Sequence, residues 1–241
     1  RTGSGLVNIL TTSESRDLVA TKLPESIVPE VGFESILDQK ETIWLNGKVD
    51  QFSAVVIGPG LSEADYFVHE SLRRFQNASV PLVLDADALN TLSRRKTLLD
   101  QLPRNCILTP HPGEMARLLG MPLSDFKQLN RIEIAREMAQ KWRCVLLLKG
   151  AFTVIANPDG QAMVLPFANS LMAVAGSGDV LSGIIVSLLG QGLPPFEAAV
   201  LGGWLHGTAA ELAIPDYGDR GMLASELANY LPRAIKQLCE A

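Results

Sequence analysis

The sequence predicts an α/β fold in which a mostly parallel central sheet carries helices on both faces and an antiparallel hairpin at its edge. Four short runs that are apolar throughout alternate with helical patterns, which is typical of parallel strands covered on both sides. Strands that alternate with helices also indicate right-handed βαβ units in a doubly wound sheet. Two further strand-like runs, joined by a short turn, predict the hairpin.

Each of the four apolar runs ends in a turn that is rich in glycine, proline or aspartate. The runs comprise residues 54–57, 82–84, 106–108 and 145–148. The hairpin strands are predicted at residues 153–156 and 161–165, on either side of an Asn-Pro-Asp-Gly turn. Helices are predicted at residues 62–75, 124–142, 179–189 and 195–213, and from residue 225 onwards.

Composition limits the classes of function that the chain can have. With 241 residues and 47% hydrophobic content, residues 1–241 are expected to form a single domain around one large core. A net charge of −5 gives no reason to bind nucleic acid or an anionic membrane surface. Three widely spaced cysteines suit a cytoplasmic protein with reduced thiols. Because the chain starts at Arg1 and soon enters a strand-like run at residues 5–10, we expect it to be N-terminally truncated.

The sharpest local feature is the sequence Ala-Gly-Ser-Gly-Asp at residues 175–179, which precedes an apolar run typical of a buried helix. Its two glycines let the backbone approach a ligand closely. Free N–H groups and the helix dipole at a helix N-terminus stabilise an anion, so the loop predicts a site for a nucleotide phosphate. Asp179 is then either a general base or a residue that only caps the helix.

Further polar turns are expected beside this loop, because ligands of open parallel sheets bind outside the carboxyl ends of the strands. Lys149 ends the fourth strand and meets either a phosphate or solvent. His111 is either a structural hydrogen-bonded residue or part of the site, whereas His206 is expected to be packed and structural. Asp85 and Asp87 form either a carboxylate pair suited to Mg²⁺ or substrate hydroxyls, or bonds within their turn. The dispersed histidines predict no histidine metal site.

Five motifs in a fixed order extend this pattern into a family resemblance. They occupy residues 56–61, 84–90, 108–114, 148–151 and 172–183. A Gly-x-Gly-Asp loop that enters a buried helix late in the chain resembles the ribokinase-like fold, a three-layer sandwich. Taken together, the five motifs resemble more closely the ADP-dependent NAD(P)H-hydrate dehydratases, over nearly the whole chain.

The resemblance implies a repair reaction in which hydrated reduced cofactors, NADHX or NADPHX, lose water at the expense of ADP or ATP. It implies that Asp179 deprotonates the substrate hydroxyl, and Mg²⁺ is expected with the nucleotide. The residues that would face the hydrated nicotinamide are Gly60, His111 and Asp179. Those that would hold the adenine nucleotide are Lys149, Gly150, Ala151, Phe152, Thr153, Gly176, Ser177 and Gly178.

The resemblance also implies an NAD(P)H-hydrate epimerase, either fused to this chain or paired with it. A helix rich in alanine, leucine and glycine at residues 198–210 predicts a homo-oligomer, of which a tetramer is one form. Three positions depart from the family pattern. Leu171 replaces a glycine, Val174 replaces a hydroxyl residue, and Phe152 stands where glycine or histidine is common.

Two other functions are compatible with the same loop chemistry. One is a ribokinase-like kinase that phosphorylates a small alcohol, such as a vitamin precursor or a sugar. The motif around His111 argues against it, since such kinases tend to carry asparagine at this position. The other is a nucleotide-binding domain without catalytic activity, which the departures at Leu171 and Val174 would favour.

Overall fold

Six strands form one mixed sheet in the computed structural model, which describes residues 1–29, 48–62 and 65–240. The first four strands run parallel, and the last two pair antiparallel at one edge. This arrangement confirms the predicted sheet and its edge hairpin. In spatial and chain order the strands are β1 (Val55–Ile57), β2 (Leu82–Leu84), β3 (Cys106–Leu108), β4 (Val145–Leu148), β5 (Val154–Ala156) and β6 (Ala162–Val164).

Nine α-helices lie within the described ranges. They are α1 (Ser13–Lys22), α2 (Asp65–Phe75), α3 (Asp87–Arg94), α4 (Pro112–Leu119), α5 (Leu123–Phe126), α6 (Arg131–Trp142), α7 (Ser177–Gly190), α8 (Pro195–Tyr217) and α9 (Ala224–Cys239). Short 3₁₀ turns occur at Val49–Gln51, Lys96–Gln101 and Ser170–Met172. In the part of the chain that the structure describes, no helix combines the length and the apolar character needed to traverse a bilayer.

Two hydrophobic clusters, one on each face of the sheet, make the fold a three-layer sandwich. Alternate side chains of a strand point to opposite faces, so β1 to β5 contribute to both clusters. Leu84 and Leu108 pack with α2, α3, α4 and α6 on one face. Val83 and Ile107 pack with α7, α8 and α9 on the other. The predicted helices on both faces are therefore confirmed.

The helix predicted at residues 124–142 is wrong, because the structure divides it in two. α5 ends at Phe126, and α6 begins at Arg131. The side-chain oxygen of Asn130 accepts from the N–H groups of Ile132 and Glu133, at 3.0 and 3.4 Å, and so caps the second helix. This capping site starts a new helix where the apolar pattern continues without a break.

The predicted strand at residues 5–10 is also wrong. Among the described residues, this segment makes an isolated parallel bridge between Asn8 and Ile27 and no longer ladder, and α1 buries none of its residues. A strand needs a hydrogen-bonding neighbour along its length, and the described part of the chain provides one here at a single position. The start of the helix predicted from residue 62 includes residues 63–64, which lie outside the described residues.

Helix α8 corrects the reasoning behind the predicted oligomer. Its alanines at positions 198, 199, 209 and 210 are buried inside the protomer, in the cluster formed with α7 and α9. They stabilise the fold of one chain and are not free to pack between subunits. α8 also runs on to Tyr217, past the predicted end near residue 213, and includes Pro215.

Candidate active site

The carboxyl ends of β2 and β4 bring a lysine and an aspartate together beneath the glycine loop. Lys149 Nζ lies 2.8 Å from Asp85 Oδ1 and 3.9 Å from Glu114 Oε2. A Cβ atom added to Gly178 would lie 3.1 Å from the same ammonium nitrogen. The structure therefore places the Lys149 turn and the glycine loop in contact, as two walls of one site.

Asp85 is the buried centre of this cluster, with only 1% of its side chain exposed. Its second carboxylate oxygen accepts a hydrogen bond of 2.7 Å from the hydroxyl of Ser182 on α7. A buried carboxylate is costly unless it is paired and hydrogen-bonded, and Lys149 and Ser182 supply both conditions. Sequence reasoning missed Ser182, although it follows Asp179 by one helical turn.

Asp85 and Asp87 do not lie on one extended segment, so the expectation that they share a face is wrong. Asp87 accepts from the N–H of Ser62 at 2.8 Å and from the side-chain amide of Asn90 at 3.2 Å. Ala86, between the two aspartates, has a φ of 49°, which turns the chain out of the extended path on which they would share a face. Asp87 therefore stabilises the turns after β1 and β2.

The glycine loop opens α7 two residues earlier than predicted. Gly176 is the N-cap residue with a φ of 87°, a conformation that favours glycine, and the helix begins at Ser177. The Ser177 hydroxyl donates to the carbonyl of Met172 at 2.6 Å. Asp179 is thus inside the first turn and is not the N-cap residue. The N–H groups of a first turn have no partner within the helix, so they can bind an anion.

His206 on α8 is buried and packs against the glycine loop, which confirms the prediction of a packed structural histidine. Its Nε2 lies 3.0 Å from the carbonyl oxygen of Ser177. Because a carbonyl oxygen only accepts, Nε2 carries the proton. Burial lowers the pKa of His206 to about 4, with a smaller contribution from Lys149 in the same direction and an opposing one from the Ser177 bond. The imidazole is therefore neutral at physiological pH.

Asp179 has the electrostatic environment of a base. Partial burial raises the pKa of its carboxyl group, and the charges of Asp85 and Asp87 raise it further, while Lys149 lowers it. A raised pKa makes the carboxylate a better proton acceptor than an aspartate in water. Its side chain remains exposed, so a substrate can reach it.

His111 has the structural role that the sequence left open, and it retains an exposed edge. Its Nδ1 accepts from the N–H groups of Gly113 and Glu114 at 3.0 and 3.2 Å, while Glu114 Oε2 accepts from the His111 N–H at 2.7 Å. This reciprocal capping box starts α4. Burial lowers the pKa of His111, as does Lys149. About half of the side chain, 49%, stays accessible to a ligand.

Residues 149–153, where the family resemblance implies the nucleotide and which we call the nucleotide turn for that reason, have an unusual backbone. Gly150 has a φ of 141°, and Phe152, which is not a glycine, has a φ of 55°. Such a conformation costs a non-glycine residue roughly 1–2 kcal/mol, so surrounding contacts must hold it. The Phe152 N–H donates to the carbonyl of Phe167 at 2.8 Å, and the Thr153 hydroxyl donates to the Gly150 carbonyl at 3.0 Å. The Phe152 ring is 53% exposed.

The remaining predicted residues lie around the same edge of the sheet. Gly60 follows β1, and a Cβ atom there would meet no atom of the described residues within 4 Å. Ala151 lies in the nucleotide turn, between the two residues with positive φ. Leu171, one of the departures from the family pattern, is fully buried in the core cluster formed with α7, α8 and α9. This departure is therefore accommodated by packing.

The fold and this site define a ribokinase-like protein. A ribokinase-like superfamily protein from Enterococcus faecalis aligns with 98% of this chain and 78% of its own, at a TM-score of 0.81 and 25% identity. The chain belongs to the NAD(P)H-hydrate dehydratase family, whose family model matches residues 1–233.

Two relatives represent the similarity. The bifunctional NAD(P)H-hydrate repair enzyme Nnr of Moorella thermoacetica is 42% identical over 100% of this chain, which spans 46% of that protein. The chain thus covers about half the length of this relative. The ADP/ATP-dependent NAD(P)H-hydrate dehydratase of Bacillus subtilis, crystallised with ATP and Mg²⁺ and soaked with CoA, aligns at a TM-score of 0.80 and 31% identity. That alignment covers 98% of this chain and 82% of the Bacillus chain.

Proposed function

We propose that this chain dehydrates NADHX and NADPHX to NADH and NADPH, using ADP as co-substrate and releasing AMP and phosphate. The observation that carries the proposal is Asp179, a carboxylate of raised pKa in the first turn of α7, beside a lysine that contacts the glycine loop. Family membership supports the choice of substrate.

The geometry supports a mechanism of the kinase type. The nucleotide turn and Gly178 would hold ADP, with its terminal phosphate at the free N–H groups of the first turn of α7. Asp179 would accept the proton of the substrate hydroxyl, whose oxygen then takes the terminal phosphoryl group as AMP leaves. Loss of that phosphate, together with a proton from the adjacent ring carbon, restores the nicotinamide double bond. Gly60 and His111 would face the hydrated ring.

Magnesium fits this site as an ion that accompanies the nucleotide. Among residues 1–29, 48–62 and 65–240, no group of three or more acidic, cysteine or histidine side chains is arranged to hold a metal ion. Mg²⁺ in nucleotide sites often binds substrate phosphates and only one or two protein carboxylates, so no protein cage is required. Asp179, the exposed carboxylate in the first turn of α7, would be available for this contact, and the ion would neutralise phosphate charge.

Partners of the chain follow from the same proposal. The bifunctional name of the Moorella relative supports an epimerase fused to this domain or paired with it. A homo-oligomer and a cytoplasmic location remain predictions, and a mass measured by light scattering tests the first.

The proposal is tested by incubating the protein with ADP and NADHX, and separately with ATP and a panel of small alcohols. We expect NADH to appear in the first reaction only, and kcat/KM to fall on the acid side through the raised pKa of Asp179. Asp179→Asn should lower kcat by about 1000-fold, since a general base contributes roughly 10²–10⁴. Asp159→Asn, an exposed carboxylate in the hairpin turn, is the matched control. Phosphorylation of an alcohol without NADH formation would refute the proposal in favour of a kinase.

A further inference from the structure

Arg131, the first residue of α6, binds the backbone of the nucleotide turn from outside the site. One guanidinium nitrogen donates to the carbonyl of Ala151 at 2.7 Å. The other donates to the carbonyls of Leu148 and Lys149, at 3.1 and 3.2 Å. A single side chain therefore fixes three carbonyl groups over four consecutive residues.

The guanidinium also fits the one glycine of this turn. A Cβ atom on Gly150 would lie 3.0 Å from the nearer guanidinium nitrogen of Arg131. The absence of a side chain at Gly150 thus makes room for the arginine, while its φ of 141° gives the turn its shape. Arg131 and Gly150 form a matched pair, although they lie far apart in the sequence.

Helix stability does not explain an arginine at this position. The N-terminus of a helix carries partial positive charge, so a cation in the first turn is unfavourable there. Asn130 already caps the helix. Burial lowers the pKa of Arg131, which indicates that its charge is partly desolvated. Its three acceptors are all backbone carbonyls of residues 148–151, so the side chain serves that segment.

The bonds to Arg131 set the direction of the neighbouring amides. In a trans peptide the carbonyl and the following N–H point in opposite directions. Because the Lys149 carbonyl faces Arg131, the N–H of Gly150 must point away from α6. The same contacts fix the backbone from which the Lys149 side chain reaches Asp85 and the glycine loop.

We infer that Arg131 is a positioning residue for the nucleotide: it holds the turn at residues 149–151 so that the Gly150 N–H and the Lys149 ammonium face the ligand. This inference rests on the proposed function, which locates the nucleotide at this turn. Arginine suits the role because its planar guanidinium has five donors in a fixed geometry. A lysine has the same charge but cannot reproduce three such bonds at once.

The test compares Arg131→Lys and Arg131→Met with Arg136→Lys and Arg136→Met, which change an exposed arginine of the same helix. Calorimetry gives the Kd for ADP, and steady-state kinetics give KM for ADP and for NADHX. We expect Arg131→Lys to raise the Kd and KM for ADP about tenfold. This is the change that follows when a charged group loses one or two hydrogen bonds. Arg131→Met should raise both further. KM for NADHX, and all constants of the Arg136 variants, should change by less than about twofold.

The inference is overturned if Arg131→Lys binds ADP within about twofold of the parent protein, or if KM rises equally for both substrates. Arg131→Lys decides the matter even if Arg131→Met does not fold. The outcome is separable from that of the proposed function. A parent protein that binds ADP without forming NADH refutes the dehydratase function. The positioning role of Arg131 is then still tested by the ADP affinities of the variants. A parent that forms NADH, with Arg131→Lys binding ADP normally, refutes the positioning role alone.

Discussion

The glycine loop at residues 175–179 and the nucleotide turn at residues 149–153 form two walls of one site, but they are held by different chemistry. Each contains a glycine with positive φ, Gly176 in the loop and Gly150 in the turn. The loop is supported by a neutral, buried imidazole, that of His206. The turn is supported by the guanidinium of Arg131, which binds three carbonyls.

This difference should make the two walls respond differently to a fall in pH. An imidazole that is buried in its neutral form must be protonated in acid, whereas a guanidinium keeps its charge. The glycine loop, which carries Asp179, should therefore loosen in acid before the turn at residues 149–153 does. Substitutions in the loop should change kcat, and substitutions in the turn should change the affinity for ADP.

The largest effect is expected from His206→Gln, measured as the pH dependence of the free energy of unfolding. The pKa of His206 falls from 6.5 to about 4 in the folded protein. The unfolded chain therefore binds a proton more readily, and the parent loses stability as the pH falls through this range, by roughly 3 kcal/mol in total. Glutamine does not titrate, so the variant should lack this loss.

Denaturant titrations of both proteins at several pH values provide the measurement. Other titrating groups cancel in the difference between the two proteins. The free energy of the variant minus that of the parent should rise as the pH falls from 6.5 towards 4, the range of the His206 shift. A difference that is constant with pH would show that His206 does not resist protonation in the folded state.

A smaller effect is expected from Gly178→Ala, because the added methyl would lie 3.1 Å from Lys149 Nζ and 3.8 Å from Asp85 Oδ2. The ammonium must move, and kcat/KM should fall about tenfold, equivalent to about 1.4 kcal/mol. Gly183→Ala on the same helix is the matched control, since in the described part of the chain no atom lies within 4 Å of its added Cβ. The control should keep full activity and gain up to about 1 kcal/mol of stability from helix propensity. Equal activities in the two variants would contradict the contact.

The smallest effect is expected from Thr153→Val in the nucleotide turn. It removes the hydroxyl that donates to the Gly150 carbonyl at 3.0 Å. A partly exposed hydrogen bond contributes about 0.5–1 kcal/mol, so KM for ADP should rise about two- to fivefold while kcat is retained. Thr153→Ser keeps the hydroxyl and should behave as the parent does. If serine and valine have the same effect, the bond does not stabilise the turn.

Local patterns were sufficient for most of the architecture. Runs of apolar residues located β1 to β4 within one residue, because buried parallel strands need apolar side chains on both faces. The same reasoning failed at α5 and α6, where the first helix ends at Phe126 and the side chain of Asn130 starts a second. It also failed at residues 5–10, since a strand depends on a neighbour that its own residues do not reveal.

The order of motifs along the chain was enough to identify the family, the glycine loop and its aspartate, because each depends on a few consecutive residues. The partners of these residues depend on the folded arrangement. Lys149 and Asp85 are 64 positions apart, and Ser182 and Asp85 are 97 apart. Such pairs meet only when parallel strands align their carboxyl ends and α7 packs across them. No local pattern encodes that alignment, so the contacts of Ser182 and Arg131 became visible only in the folded chain.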